Sequence, residues 1–553
     1  MRNMLLKYWP ILLILALSAL VVWPLFLPGY FSHHDDLQVM RIFEMRKCIE
    51  DFQIPCRWVP DMGFGNGFPL FNYYGVFPYY IGAILSFAFG FIGAAKSLFF
   101  IVLLMGGITM YLLGEKIGGK WVGLTSGILY LFAPYRSLDA YVRGAISESF
   151  ALAIIPLVFY FGLRLAKEKT SVNFIGLAIS TGIFLITHNI MTMFFIPLLL
   201  LFIIYVKIFL HPKSFAVLIL SIILGFGMSA FFLLPAFLEK NLVQTDNLTR
   251  FDLDFRVHFV TVRQLFLDRS WGYGASVLGS GDGVSFQIGW PHWGLVLLSL
   301  PLFFFLRKDK KILVLYLGIL TIFLFSVFMT HNKSAFIWEK IGLLRYTQFP
   351  WRFLSLSIFS ASLIGGIAIM PLNKQLRKYA VIVIAIVSIL LNFAFFKPDK
   401  FSFDLTDSKK LSGELWNEQR IAGISDYLPV GAYQPREAAP DGPLVVEGEA
   451  GIKNFVNKSN YWQFDAVVKT SAKIELPVFD FPNWEVYINK RRIPHNNANF
   501  LRRIQFNLEP GSYKVSGKLA DTPIRAISNI VSLLSFASLI FLTTYGKNKF
   551  KKL

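Results

Sequence analysis

Long apolar runs recur along the whole 553-residue chain, and short clusters of lysine and arginine separate them. A helix of roughly 17 to 25 apolar residues is long enough to span a bilayer, and it satisfies its own backbone hydrogen bonds in lipid. The pattern therefore predicts a polytopic α-helical membrane protein. The apolar runs lie near residues 8–27, 79–95, 97–113, 121–133, 147–163, 172–187, 189–210, 214–236, 287–306, 312–330, 352–371, 379–396 and 525–545.

The basic clusters predict which helix ends face the cytoplasm. Only 16% of the residues are charged, and the formal net charge of +20 comes largely from lysines and arginines that sit between apolar runs. That placement indicates orientation by the positive-inside rule and gives no reason to expect a nucleic-acid partner. The clusters that we assign to the cytoplasm are Arg2 with Lys7, Lys116 with Lys120, Arg164 to Lys169, Lys207 with Lys213, Arg307 to Lys311, Lys374 to Lys378 and Lys547 to Lys552.

One apolar run has to stay on the external side for every cluster to be cytoplasmic. Residues 79–95 contain Gly82, Gly90 and Gly93, open within the sequence FPYY and end next to Lys96. We interpret them as a re-entrant or juxtamembrane helix, which leaves about twelve crossings. The alternative is that 79–95 crosses and that the positive-inside rule fails locally.

The sequence changes character after residue 396. Residues 397–523 are rich in turns and alternate with period two in WQFDAVVK, AKIELPVF and IQFNLEP, which predicts an extracytoplasmic β-sandwich. We therefore divide the chain into a transmembrane domain at 1–396, whose first external loop is 28–96, and a β-rich domain at 397–523. A last helix and a basic cytoplasmic tail occupy 524–553.

The first external loop begins with two histidines and two aspartates, His33 to Asp36. A carboxylate near the headgroup layer can act as a general base or hold a divalent cation, which makes Asp35 and Asp36 catalytic candidates. His34 beside them is a substrate-binding candidate. The alternative is that one aspartate caps a helix that begins near Leu37.

Aromatic residues crowd the next part of this loop. The segment GFGNGFPLFNYYG at 63–75 lacks the lysine of a phosphate-binding loop. Its glycines and rings, Tyr74 among them, fit a sugar-stacking wall or an aromatic belt at the membrane surface. The only two cysteines, Cys48 and Cys56, lie in the same loop. A disulfide between them and two free thiols are the two alternatives.

A second external segment carries charge at helical spacing, in APYRSLDAYVRGAISE at 133–148. Arg143 follows Asp139 by four residues, as in an ordinary helical ion pair. The alternative is functional: Asp139 and Glu148 are then further acids of a site, and Arg143 grips an anionic group.

Two further external turns carry polar candidates. His188, in LITHNIMT, either caps a helix or hydrogen-bonds a substrate. Arg345 and Arg352 flank a Gln-Phe-Pro-Trp turn at the start of a predicted crossing. An arginine there either snorkels to the interface or binds an anion such as a lipid phosphate, and its external position favours the anion.

Taken in order, these motifs resemble one family. HHDDLQVMR, GFGNGFPLFNYYGVFPYYIGAI, APYRSLDAYVRGAISE, the His-Asn turn, QFPWRFL and DFPNWEVYINKRR are similar to the 6-pyruvoyl-tetrahydropterin-synthase-related membrane proteins. That group is similar to the YfhO-type bacterial membrane proteins and, more distantly, to GT-C glycosyltransferases.

The resemblance implies a multi-pass transferase of the bacterial cytoplasmic membrane that uses a polyprenyl-phosphate-linked sugar on the outer face. It implies an acid in the first external loop, which Asp35 or Asp36 matches, and a second acid, which Asp139 or Glu148 matches. A divalent ion, Mg²⁺ or Mn²⁺, would use Asp36 and Asp139, and the resemblance leaves open whether a metal is used at all.

The predicted reaction is direct displacement at the anomeric carbon. Asp36 or Asp35 takes the acceptor proton, and Arg352, with Arg143, stabilises the departing lipid phosphate. The acceptor is an envelope glycan, lipid or polymer, and the partners include membrane lipids. The alternatives are a lipid or glycan transporter and a scaffold of envelope assembly, neither of which catalyses a reaction.

Overall fold

Long apolar helices build the membrane-spanning part of the protein. The computed structural model describes residues 2–279 and 281–545. Within them, eight helices are long and apolar enough to cross a bilayer, or nine if the pair Pro212–Met228 and Ala230–Leu238, bent by 68°, forms one span. The eight are Tyr8–Phe26, Phe77–Gly118, Ile146–Lys167, Asn189–Leu210, Lys310–Thr330, Pro350–Ala368, Lys374–Phe395 and Pro523–Leu542.

The predicted class, a polytopic helical membrane protein with a C-terminal β-sandwich, is confirmed, while the number of twelve crossings stays a prediction. Three of the expected crossings contain only short helices, and the predicted basic tail falls on residues 546–553, outside the described part of the chain. The shorter α-helices are Gln38–Glu50, Leu70–Tyr73, Lys120–Leu131, Pro134–Ser137, Ser171–Leu185, Val262–Phe266, Trp290–Ser299, Leu302–Leu306, Ala335–Lys340, Asp407–Lys410 and Gly413–Ile421.

The helix Phe77–Gly118 is broken at Gly90, whose φ of +68° suits a residue without a Cβ. Asp407 bridges the break, because its carboxylate accepts hydrogen bonds from the backbone N–H of Phe91 (2.7 Å) and Ile92 (2.8 Å). Before the break, the apolar side chains Ile84 and Phe87 are exposed. The predicted juxtamembrane helix and the crossing after it are therefore two halves of one kinked helix.

A β-sandwich follows the helices. One sheet has five strands and the other three, and the rings of Trp462 and Phe506 stack between them with centroids 6.4 Å apart. The five-stranded sheet runs in the order Ala450–Asn457, Tyr461–Val468, Gly511–Leu519, Trp484–Ile488 and Arg491–Ile493. The three-stranded sheet runs Leu444–Glu447, Ala472–Phe479 and Arg503–Leu508.

Residues 397–443, which we call the connecting segment, precede the sandwich strands and pack on the first external loop. Phe401–Ser402 pairs antiparallel with Tyr30–Phe31. Lys410 donates to the carboxylate of Asp36 at 2.7 Å, and its side chain is only 3% exposed. The connecting segment therefore holds the start of the first loop in place from a distant part of the chain.

The first loop is also fixed internally and to the last helix. Cys48 and Cys56 form a disulfide. The buried carboxylate of Glu239 pairs with Arg525 (2.9 Å) and accepts a hydrogen bond from Asn72 (3.2 Å) of the loop. Removing one partner of a buried ion pair leaves an uncompensated charge and strongly destabilises the protein. The contacts of Glu239 therefore fasten the helix Pro523–Tyr545 to the loop.

Candidate functional site

A cavity of about 1020 Å³ lies where the external ends of several helices meet the first loop. Its walls come from the first loop, the turn after residue 142, the start of the helix at Asn189, the loops around 236–278 and 343–352, and the connecting segment. Seven of the predicted site residues line it: His34, Asp35, Tyr74, Arg143, Glu148, His188 and Arg352.

Backbone pairing brings the first loop to the second external segment. The N–H of His34 donates to the carbonyl of Val142, and the N–H of Asp35 donates to that of Arg143, each at 2.9 Å. Gly144 follows with a φ of +68°, and a Cβ there would overlap the ring of His33. This close approach places the first-loop acids beside the charged segment, as the site hypothesis requires.

Asp35 points one oxygen at fixed donors. Its Oδ2 accepts from the guanidinium of Arg41 at 2.7 Å and from the side-chain amide of Gln38 at 3.1 Å. The other oxygen takes part in neither bond, and the side chain is 34% exposed. Asp35 is therefore an oriented carboxylate that keeps an oxygen available to the cavity.

Arg143 and two acids form a buried cluster. Arg143 pairs with the carboxylate of Asp139, four residues before it, and with that of Glu148 at 2.9 Å. Tyr135 donates to the second oxygen of Glu148 at 2.6 Å. Burial, reinforced by the charge of Glu148, raises the pKa of Asp139 well above its usual range. The helical ion pair and a charged cluster at the cavity are thus both present.

Arg352 enters this cluster from the opposite wall. Its Nε lies 3.6 Å from the carboxylate of Glu148, too far for a hydrogen bond, and its Nη1 donates to the carbonyl of Thr347 (2.8 Å) and to Gln348 (3.1 Å). The side chain is buried. Because Glu148 lies nearer to Arg143, Arg352 is the less neutralised of the two cations.

The other predicted substrate-binding residues also form hydrogen bonds within the protein. His188 caps the helix at Asn189, where its Nδ1 accepts from the N–H of Met191 at 3.1 Å. Burial lowers the pKa of His188 to about 3, so the ring is neutral and its Nε2 carries a hydrogen. His34 bonds the carbonyl of Tyr273 at 2.8 Å, and Tyr74 accepts from Arg41 at 3.1 Å.

Three predicted site residues lie outside the lining of the cavity. Asp36 pairs with Lys410 of the connecting segment, and Asp139 is enclosed behind Arg143. Arg345 is exposed at the protein surface. Because Asp36 and Asp139 each face a different cation, they do not fit a shared divalent-ion site, and residues 2–279 and 281–545 contain no cluster of three or more metal-ligating side chains.

The cavity also contains charged residues that we did not predict as site residues. Arg41 lies on the helix Gln38–Glu50, Lys240 follows the bent pair, and Asp426 comes from the connecting segment. Burial raises the pKa of Asp426 to about 6, despite the opposing charge of Arg41. Arg41 was visible in HHDDLQVMR, six residues after Asp35, whereas no local motif marks Asp426.

One side of the cavity is apolar and open. Phe237, Phe251 and Leu278 line it and are 68%, 89% and 75% exposed. Phe237 lies near the end of Ala230–Leu238, the second helix of the bent pair. A polar cavity with an apolar rim at a helix end can hold a molecule that has a charged head and a hydrocarbon tail.

Comparison with known proteins identifies relatives of the chain. The family described as "6-pyruvoyl-tetrahydropterin synthase related domain; membrane protein" matches residues 71–397, more than half of the chain. An uncharacterized protein of Lactococcus lactis subsp. cremoris (strain MG1363) is 22% identical over 236 residues, which are 40% of this chain and 38% of that protein.

Two solved structures show a distant likeness. The apo oligosaccharyltransferase of Archaeoglobus fulgidus aligns over 70% of this chain and 56% of its own, with a TM-score of 0.42 and 14% identity. ArnT from Cupriavidus metallidurans, bound to undecaprenyl phosphate, aligns over 69% and 63%, with a TM-score of 0.39 and 13% identity. In all three comparisons the chain spans less than two thirds of the other protein.

Proposed function

The chain belongs to the 6-pyruvoyl-tetrahydropterin synthase related membrane proteins, and we propose that it is a glycosyltransferase. In this proposal it moves a sugar from a polyprenyl-phosphate donor to an envelope acceptor on the outer face of the cytoplasmic membrane. The observation that carries the proposal is one cavity that joins Asp35, the cluster around Arg352 and an open apolar rim.

Arg352 would bind the phosphate of the donor. Its Nη1 is held by Thr347 and Gln348, which leaves Nη2 to form a bond to an anion. Arg143 contacts both acids, whereas Arg352 lies 3.6 Å from Glu148 and is the less neutralised of the two cations. A guanidinium fixed in this way stabilises the charge that develops on the departing phosphate without having to reorganise.

Asp35 would act as the general base, in preference to Asp36. The acceptor hydroxyl oxygen bonds to the anomeric carbon as the carbon–oxygen bond to phosphate breaks. The hydroxyl proton passes to the carboxylate of Asp35, and polyprenyl phosphate leaves with the bonding electrons. Arg41 and Gln38 hold Asp35 in position, so proximity contributes to the rate.

The hydrocarbon chain of the donor would leave the cavity over its apolar rim. Phe237 and Leu278 expose ring and aliphatic surface there, so the chain can pass from the cavity into the bilayer without exposing its methylene groups to water. The lipid would thus hold its phosphate and sugar at the membrane surface, near Arg352 and Asp35.

The test is transfer by the purified protein in liposomes. A panel of labelled undecaprenyl-phosphate sugars is incubated with envelope glycan and lipid acceptors, and labelled product is separated from donor. We expect label to move to an acceptor. Movement of intact donor across the bilayer without any transfer would instead support a transporter. If neither transfer nor movement of the donor is detected, the result supports a scaffold.

Asp426 would serve on the acceptor side of the cavity, near Asp35. Burial raises the pKa of its carboxyl group to about 6, closer to the range in which an acid can exchange protons with a sugar hydroxyl. Arg41 and Asp35 face it from the first loop, and Tyr427 lies beside it. The connecting segment would therefore complete the site as well as support it.

We predict that Asp426→Asn stabilises the protein and weakens transfer. The pKa of Asp426 is higher in the folded protein, so the ionised carboxylate is disfavoured there. This penalty is absent below about pH 4, near the unfolded pKa, and complete above about pH 6. Thermal unfolding in detergent should show a higher Tm for the variant at pH 7.5 and an equal Tm near pH 4.

The matched control is Asp252→Asn, because Asp252 lines the same cavity but is exposed. It should leave the pH dependence of the Tm unchanged. An Asp426→Asn variant that transfers sugar at the wild-type rate would remove Asp426 from the site, whatever its stability.

A further inference from the structure

A second cavity, of about 420 Å³, lies at the far end of two helices that begin at the candidate site. Ile146–Lys167 starts beside Glu148 and ends at this cavity, and Asn189–Leu210 starts beside His188 and ends next to it. Because both helices are long enough to span the bilayer, the second cavity opens at the opposite membrane face from the first.

The lining of this cavity, which we call the basic pocket, is cationic. It consists of Ala166, Lys167, Lys169, His211, Pro212, Lys213 and Ser214, and no carboxylate is among these lining residues. The intervening acid, Glu168, turns away to pair with Lys116 at 3.7 Å. In the described part of the chain, Lys167, Lys169 and Lys213 form no ion pair within 4.0 Å, so their mutual repulsion is uncompensated.

Folding, and not only sequence, assembles this charge. Lys167 ends one helix and Lys169 follows it, whereas Lys213 lies at the start of another. Ser214 fixes the two together by donating to the carbonyl of Ala166 at 2.7 Å. A lysine that only orients its helix has no need of such a partner.

The surroundings of the basic pocket indicate which kind of anion it binds. Ile208 and Ile204, on the helix that ends beside it, are 62% and 51% exposed and offer apolar surface toward the bilayer. Basic pockets between helices at the cytoplasmic surface suit anionic lipid headgroups. We propose that the basic pocket binds the phosphate headgroup of an anionic phospholipid, from the leaflet opposite the candidate site.

The experiment is native mass spectrometry of the full chain released from nanodiscs of phosphatidylglycerol and phosphatidylcholine. The variant is Lys167→Gln/Lys169→Gln/Lys213→Gln, and the control is Lys308→Gln/Lys310→Gln/Lys311→Gln, which removes equal charge elsewhere. We expect the pocket variant to retain roughly tenfold less phosphatidylglycerol than wild type, and the control to retain a wild-type amount.

Two results would overturn the proposal. One is equal retention by both triple variants, which would mean that the lysines act only through overall charge. The other is full displacement of phosphatidylglycerol by excess inorganic phosphate, which would assign the pocket to a soluble anion. Retention that resists phosphate supports a lipid with a seated headgroup. Binding does not depend on transfer, so failure here leaves the proposed function standing.

Discussion

An Asp35→Asn variant is expected to lose sugar transfer by about 10²–10⁴-fold, the usual contribution of a general base. Asparagine keeps the size of the side chain and can still accept bonds from Arg41 and Gln38, so the cavity should keep its shape. It cannot take the acceptor proton. The measurement is kcat with a labelled undecaprenyl-phosphate sugar, alongside thermal unfolding to show that the variant is folded.

Asp36→Asn is the matched control for this prediction, one position away. Asp36 faces Lys410, whose ammonium is nearly buried, so the substitution should lower the stability and change kcat by less than about tenfold. The reverse ranking, with Asp36→Asn inactive and Asp35→Asn active, would return the role of base to Asp36.

The sequence could place the two aspartates in one external loop but could not choose between them. Their neighbours in the fold decide: Asp35 is oriented by Arg41 at 2.7 Å, and Asp36 by Lys410 at 2.7 Å, 374 positions along the chain. The first partner is local and could have been read from HHDDLQVMR. The second depends on a tertiary contact that no period or spacing encodes.

The charged external segment shows the same limit. Its spacing indicated an ion pair on an ordinary solvated helix, and the pair between Asp139 and Arg143 is present but buried. Its functional interpretation required a partner from elsewhere. That partner is Arg352, which reaches Glu148 from another helix. One cluster accommodates both the ion pair and the functional interpretation, because Arg143 contacts two acids at once.

The fold was predictable where tertiary packing requires a regular pattern of apolar residues in the sequence. Apolar length indicated the spanning helices, and period-two alternation indicated the sandwich strands from Tyr461 onward. The sequence of the connecting segment has no such pattern, since residues 397–443 form short helices and turns that are ordered by contact with the first loop. Asp426 was missed for that reason.

Arg352→Gln is expected to raise the KM for the lipid-phosphate donor by roughly 10–100-fold and to lower kcat, with a much smaller change in the KM for the acceptor. A hydrogen bond to a charged group contributes about 1.5–3 kcal/mol, and each 1.4 kcal/mol is a factor of ten. Glu148 would keep Arg143 and Tyr135 as partners, so the variant should fold. Initial rates at varied donor and fixed acceptor concentration measure the effect.

Arg345→Gln separates loss of a phosphate ligand from loss of external positive charge. Arg345 lies seven positions before Arg352, but it is exposed and does not line the cavity, so its removal should leave the donor KM within about twofold of wild type. Arg352→Lys should give an intermediate KM, because lysine keeps the charge and loses the fork of two nitrogens. Equal effects of Arg345→Gln and Arg352→Gln would mean that the donor is attracted by the general field of the outer surface. In that case the buried guanidinium beside Glu148 would have no specific part in holding the phosphate.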